Sequence, residues 1–225
     1  MRKILALLSL MLFAGAAAAE PLRITVLGDS LVQGYGLPQG DGLVPQLQRW
    51  LRRQGADVEL QNAGVSGDTT AGGAERAEWT LASGPEGVVV LLGGNDLLRG
   101  LPPQEARANL GRILEAAGAA GSEVLLVGMK APGNFGPEYK AAFDALYPEL
   151  AETHGTLLHA DAFAGMAAEA GGDPAAARAF MQEDGIHPNA QGVALNVAAM
   201  GPAVLELVAR IESEGAGAEA PQAGN

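Results

Sequence analysis

Cysteine is absent from all 225 residues, so no disulfide can brace this chain and packing alone must hold the fold. Histidine is nearly as scarce, with three residues in total, and no H-E-x-x-H pattern is present. A zinc hydrolase is therefore disfavoured, and no metal or organic cofactor is expected. Basic residues are outnumbered, 14 against 26 acidic ones, for a formal charge of −12. Such a surface repels phosphate backbones and anionic headgroups, which argues against nucleic-acid binding. No P-loop is present, and Gly34-Tyr35-Gly36 fails as a dinucleotide fingerprint because Gln39 stands where the third glycine belongs.

The N-terminal apolar stretch, Ile4 to Phe13, falls short of the roughly 18 residues a spanning helix needs. Arg2 and Lys3 precede it and Ala17-Ala18-Ala19 follow it, the layout of an export signal with an A-x-A cleavage site. Residues 1–19 are thus expected to be a signal peptide, with export to the periplasm or beyond. Without cysteine the processed chain has no residue to lipidate, so no stable membrane anchor is expected. Residues 20–211 are long enough for one domain with a substantial core. Residues 212–225, rich in Gly, Ala and Glu, read as a disordered tail.

Strand-like and helix-like stretches alternate along the domain. Strands are predicted over Leu22 to Leu27, Val58 to Gln61, Val88 to Leu92, Val124 to Val127 and Thr156 to His159. Helices are predicted over Leu43 to Gln54, Thr69 to Leu81 (capped by Asp68), Pro103 to Ala119, Tyr139 to Thr153 and Asn189 to Ile211. Strands separated by helices of this length imply an α/β fold, a parallel sheet covered on both faces. Ligands of such a sheet bind beyond the carboxyl ends of the strands.

Four segments at those positions carry residues suited to acyl transfer: Gly28-Asp29-Ser30, Gly64-Val65-Ser66-Gly67-Asp68, Gly93-Gly94-Asn95-Asp96 and Asp184-Gly185-Ile186-His187. Ser30 offers a hydroxyl, which needs a base to become a nucleophile. His187 offers an imidazole, with Asp184 placed to fold back on the ring and fix its tautomer. Asn95 offers an uncharged amide donor, and Gly67 a backbone N–H ahead of a helix, both suited to an oxyanion. Each segment alone also fits an ordinary turn or cap. His154 and His159 read as solvated and structural, and Trp50 and Trp79 as core residues of helices.

Taken together, the segments resemble the SGNH/GDSL hydrolase superfamily, whose four blocks are matched in order over nearly the whole domain. The similarity is closer to its bacterial periplasmic acyl-CoA thioesterase, lysophospholipase and arylesterase branch. It extends to Asn62-Ala63-Gly64-Val65-Ser66-Gly67-Asp68-Thr69 and to Pro132-Gly133-Asn134-Phe135-Gly136. Gly64 and Val65 depart from the usual residues at their positions. The resemblance implies a flavodoxin-like, three-layer α/β/α fold with five parallel strands. It makes Ser30 the nucleophile, His187 the base and Asp184 its orienter, and assigns the oxyanion hole to the N–H groups of Ser30 and Gly67 and the Asn95 side chain.

The implied activity is hydrolysis of a small-molecule ester or thioester through an acyl-serine. Leu101, Phe135 and Tyr139 are the expected walls of the acyl pocket. Two other readings compete. A polysaccharide deacetylase of the same superfamily needs aromatic platforms, for which only Trp50 and Trp79 are available. A non-catalytic anion- or nucleotide-binding module would share the fold. The sequence sets neither the acyl chain length nor an oligomeric state.

Overall fold

A computed structural model describes residues 20–218; the expected signal peptide, residues 1–19, and the last seven residues lie outside them. Five strands form one parallel sheet in the order β2-β1-β3-β4-β5. They are β1 (Leu22–Gly28), β2 (Val58–Gly64), β3 (Gly87–Leu91), β4 (Glu123–Val127) and β5 (Leu157–His159). In-register pairing runs Leu22 with Val58, Ile24 with Gly87, Val88 with Val124 and Leu125 with Leu157. Every residue of central β3 is buried, as an unbroken apolar run should be when helices cover both faces. β2 is an edge strand and leaves Glu59 and Gln61 in solvent.

The helices are α1 (Ser30–Gln33), α2 (Leu43–Arg53), α3 (Thr70–Leu81), α4 (Gly94–Arg99), α5 (Pro103–Ala119), α6 (Pro137–His154), α7 (Ala164–Glu169), α8 (Pro174–Ala177) and α9 (Ala190–Ala218). α3, α5 and α6 pack in sequence, while α9 packs against α2 and α7 and crosses β3, β4 and β5. Leu110, Ile113 and Leu114 of α5 and Val204, Leu207 and Val208 of α9 are buried on these faces. α9 is long and apolar enough to cross a membrane, yet its apolar side is spent on this packing.

Three sequence expectations are corrected here. α9 continues to Ala218, past Ile211 where the disordered tail was placed, because Glu and Ala are good helix formers. Asp68 does not cap α3; the Thr69 hydroxyl accepts the Gly72 N–H at 3.4 Å, and Asp68 pairs with Arg76 at 2.7 Å. Trp79 is not a core residue: it is 83% exposed, because α3 buries Thr70, Gly73, Ala74, Ala77 and Leu81 on its opposite face. Trp50 is half-buried and lies against Gly201 of α9. Helices α1 and α4, four and six residues long, carry too few turns to show a helical period in the sequence.

The sheet order reverses between β1 and β3, so the chain leaves these neighbours toward opposite faces. That switch point is where a doubly wound sheet opens a crevice. Ser30 and Asn95 sit there, at the first and second positions of α1 and α4.

Candidate active site

β1 ends at Gly28, and Asp29 caps α1 by accepting the Leu31 N–H on its carboxylate at 3.0 Å. The cap therefore belongs to Asp29, which leaves the Ser30 hydroxyl free for another partner. That partner is His187, whose Nε2 lies 2.8 Å from Ser30 Oγ although 157 residues separate them. The other ring nitrogen, Nδ1, lies 2.6 Å from Asp184 Oδ2. Asp184 Oδ1 in turn accepts the backbone N–H groups of Ile186 and His187 at 2.9 and 3.0 Å. The backbone N–H of His187, its ring and the Ile186 N–H hold the Asp184 carboxyl down at about 2. It is therefore ionised at any ordinary pH and accepts the Nδ1 proton, which leaves Nε2 bare to take one from the serine.

The oxyanion candidates meet the same edge. Asn95 Nδ2 donates to the Asp68 carbonyl at 2.9 Å and, at the outer limit of a hydrogen bond, to Asp29 Oδ2 at 3.5 Å, so the amide is held at the cleft with its second hydrogen only weakly engaged. Gly93, just before α4, has φ of 119°, and a Cβ there would collide with the Tyr147 hydroxyl. Tyr147 is fully buried and donates to the Leu92 carbonyl at 2.9 Å, clamping the end of β3 from behind. Gly67 adopts φ of 86°, a left-handed turn open to glycine at no steric cost. Among the described residues, neither the Ser30 N–H nor the Gly67 N–H has a hydrogen-bond partner. Gly67 does not itself line the cleft; Asn95 reaches its neighbour Asp68, and Arg99 of α4 donates to the Gly67 carbonyl at 2.9 Å.

Several supporting residues were not singled out from the sequence. Arg76 of α3 pairs with Asp68 and donates to the Gly28 carbonyl at 2.9 Å, tying the ends of β1 and β2 together. Asp96 is buried and accepts from Thr70. Asp29 is buried as well, with its Oδ2 3.5 Å from Asn95 Nδ2. Burial lifts Asp29 to about 6, against the opposing pull of the Leu31 N–H and His187. The available signal was position: Asp29 directly follows a strand whose last five residues, Ile24 to Gly28, are buried, and a carboxylate there has to be hydrogen-bonded.

A cavity of about 290 Å³ opens over Ser30, Asn95 and His187, walled by Leu31, Leu97, Leu98, Met129, Phe163 and Ile186, with Lys130 and Asn134 at its polar side. Leu101, Phe135 and Tyr139 are not among these walls, which corrects the expected pocket. The Tyr139 hydroxyl donates to the Leu101 carbonyl at 2.9 Å, and the rings of Phe135 and Tyr139 lie 5.1 Å apart. Phe135 also packs against Gly100; the three brace the α4 to α5 turn instead of facing the cleft. Gly64 and Val65, the departures from the family pattern, also stand outside the cavity. So do Trp50, Trp79, His154 and His159, and burial pushes the His159 ring toward its neutral form. Among the described residues no three His, Asp or Glu side chains are grouped to hold a metal ion.

Comparisons with known proteins find relatives over most of the domain. Residues 26–195 match the model of the GDSL-like Lipase/Acylhydrolase family. Esterase TesA of Pseudomonas aeruginosa is 40% identical over 182 residues, 80% of this chain and 86% of that protein. Thioesterase 1/protease 1/lysophospholipase L1 of Escherichia coli K12 is 38% identical over 176 residues, 77% of this chain and 78% of that protein. The crystal structure of AlinE4, an SGNH-hydrolase family esterase, superposes with a TM-score of 0.67 at 42% identity, covering 84% of this chain and 97% of that one. With its four motif segments gathered at one sheet edge and its relatedness spanning most of the domain, the chain belongs to the GDSL-like lipase/acylhydrolase family.

Proposed function

We propose that this protein hydrolyses carboxylic esters and thioesters of apolar acyl groups through an acyl-Ser30 intermediate. The observation that carries the reading is the unbroken relay from Asp184 through His187 to Ser30, at 2.6 and 2.8 Å. His187 takes the Ser30 proton as Oγ attacks the acyl carbon. The negative charge that develops on the carbonyl oxygen is held by the N–H groups of Ser30 and Gly67 and the Asn95 amide. The proton on His187 passes to the leaving alcohol or thiol, the acyl group stays on Ser30, and a water deprotonated by His187 releases the acid. Asp184 keeps the ring in its working tautomer and stabilises its charged form.

The cavity walls are apolar, which suits an acyl chain, and the relatives include proteins named as esterase, arylesterase, thioesterase and lysophospholipase. The polysaccharide reading draws no support, since neither tryptophan lies at the cleft. Action outside the cytoplasm, with the periplasm as the compartment, rests on the export pattern of Arg2 to Ala19. A fluorophosphonate should add one label, on Ser30, with parallel loss of ester and thioester hydrolysis. Full activity in Ser30→Ala would overturn the assignment. Cell fractionation of the full chain tests the compartment.

A further inference from the structure

Ser30 and His187 come from opposite ends of the chain, and a relay at 2.8 Å needs something to keep the two turns in register. Two residues outside the relay meet that need. The Gln182 amide donates from Nε2 to the Tyr35 carbonyl at 2.9 Å and to the Pro188 carbonyl at 3.0 Å. The backbone N–H of Gln182 donates to the His187 carbonyl at 2.7 Å. Its carbonyl accepts the Gly185 N–H at 3.0 Å, so one residue holds the loop before His187 and at its carbonyl end, and binds it to the turn after α1. The grip is close, for a Cβ on Gly36 would run into the Gln182 amide.

Tyr35 supplies the second half. Its N–H donates to the Ser30 carbonyl at 3.1 Å, so its backbone moves with the nucleophile. Its ring lies over the His187 ring, centroids 4.7 Å apart and planes inclined by 36°. The imidazole is therefore bounded on one face by tyrosine and at its two nitrogens by Asp184 and Ser30. Tyr35 is 51% exposed, so core packing does not account for where its ring sits. Among the described residues its hydroxyl makes no hydrogen bond, whereas its aromatic face meets the base.

We infer that Gln182 and Tyr35 form a clamp that positions His187 against Ser30, with Gln182 fixing the loop and the Tyr35 ring fixing the imidazole plane. Neither touches the reacting atoms; both act through His187, and the inference rests on His187 being the base. Displacing a catalytic group by about 1 Å can cost on the order of a hundredfold in rate.

The test uses the processed protein and soluble p-nitrophenyl butyrate, comparing Gln182→Ala, Gln182→Glu, Tyr35→Leu and Tyr35→Phe with wild type and with Ser30→Ala. Gln182→Ala and Tyr35→Leu are expected to lower kcat about tenfold or more with KM within about twofold. Tyr35→Phe, which keeps the ring, should restore kcat to within about twofold. Gln182→Glu keeps the side-chain length but presents oxygen to two carbonyls, and should be impaired like the alanine variant, which guards against misfolding of the latter. Circular dichroism and melting temperature of each variant show whether it is folded. Wild-type kcat in folded Gln182→Ala and Tyr35→Leu would overturn the clamp, as would Tyr35→Phe being as impaired as Tyr35→Leu. Loss of activity in Ser30→Ala alone would sink the clamp and leave the acyl-serine reading intact; full activity in Ser30→Ala would sink both.

Discussion

The buried carboxylate of Asp96 accepts both the backbone N–H and the hydroxyl of Thr70, at 2.9 and 2.6 Å. This pair joins the start of α3 to α4, and so joins the turn of Gly67 to the helix of Asn95. The Thr70 hydroxyl also accepts from Asn109 of α5 at 3.2 Å. Thr70→Val keeps the shape and removes the hydroxyl, leaving one carboxylate oxygen and one amide without that partner. Loss of a hydrogen bond to a charged group costs about 2 kcal/mol, so urea unfolding should show that deficit, accompanied by reduced kcat. Wild-type stability and activity together would show that the pair does not hold the two turns.

Asn95 is expected to act on the transition state far more than on bound substrate. Removing one such donor costs on the order of 3 kcal/mol, about a hundredfold or more in kcat. Asn95→Ala should show that loss on p-nitrophenyl butyrate while KM changes little. A KM effect with kcat intact would make Asn95 a substrate-binding residue instead.

Asp29 should give the protein a recognisable stability profile. Burial raises its carboxyl from 3.8 to about 6, so the folded state holds this proton over a range where the unfolded chain has lost it. Stability from this group is therefore fullest below about pH 4, falls as pH rises through 6, and is level above that. A shift of about two units corresponds to about 3 kcal/mol. Asp29→Asn has no such group. The stability difference between wild type and variant, from urea unfolding at pH 4 and pH 7, should move by an amount of that order. A constant difference would mean the carboxyl is not held protonated by its surroundings.

Much of this architecture was legible because it depends on periodicity. β3 is an unbroken apolar run, and α5 begins at Pro103 and ends at Ala119 as its pattern requires. Three of the four motif segments were legible because they place small or polar residues just after a strand; the fourth, Asp184 to His187, was legible from a carboxylate three residues before an imidazole in the turn ahead of the last helix. What remained hidden depends on distance through space. Nothing near Gln182 in sequence points to Tyr35, 147 residues away. Asp68 has the chemistry of a helix cap, and only the position of Arg76 explains why its neighbour Thr69 takes that role. Phe135 and Tyr139 have the chemistry of pocket walls, yet their contacts with each other, Gly100 and Leu101 turn them from the cleft.

That last correction yields a test of acyl-chain preference. Leu98 and Ile186 line the cavity and are 59% and 44% exposed, so a bulkier side chain there enters the cavity without disturbing the buried core. Leu98→Trp should fill space that the end of a long acyl chain would occupy. It is expected to shift the ratio of kcat/KM for octanoyl over butyryl p-nitrophenyl esters toward butyryl by about tenfold, since one or two methylenes in an apolar pocket are worth about 1–3 kcal/mol. Phe135→Ala, outside the cavity, should leave that ratio unchanged. A shift with Phe135→Ala and none with Leu98→Trp would return the acyl chain to the Phe135 side and displace it from the cavity described here.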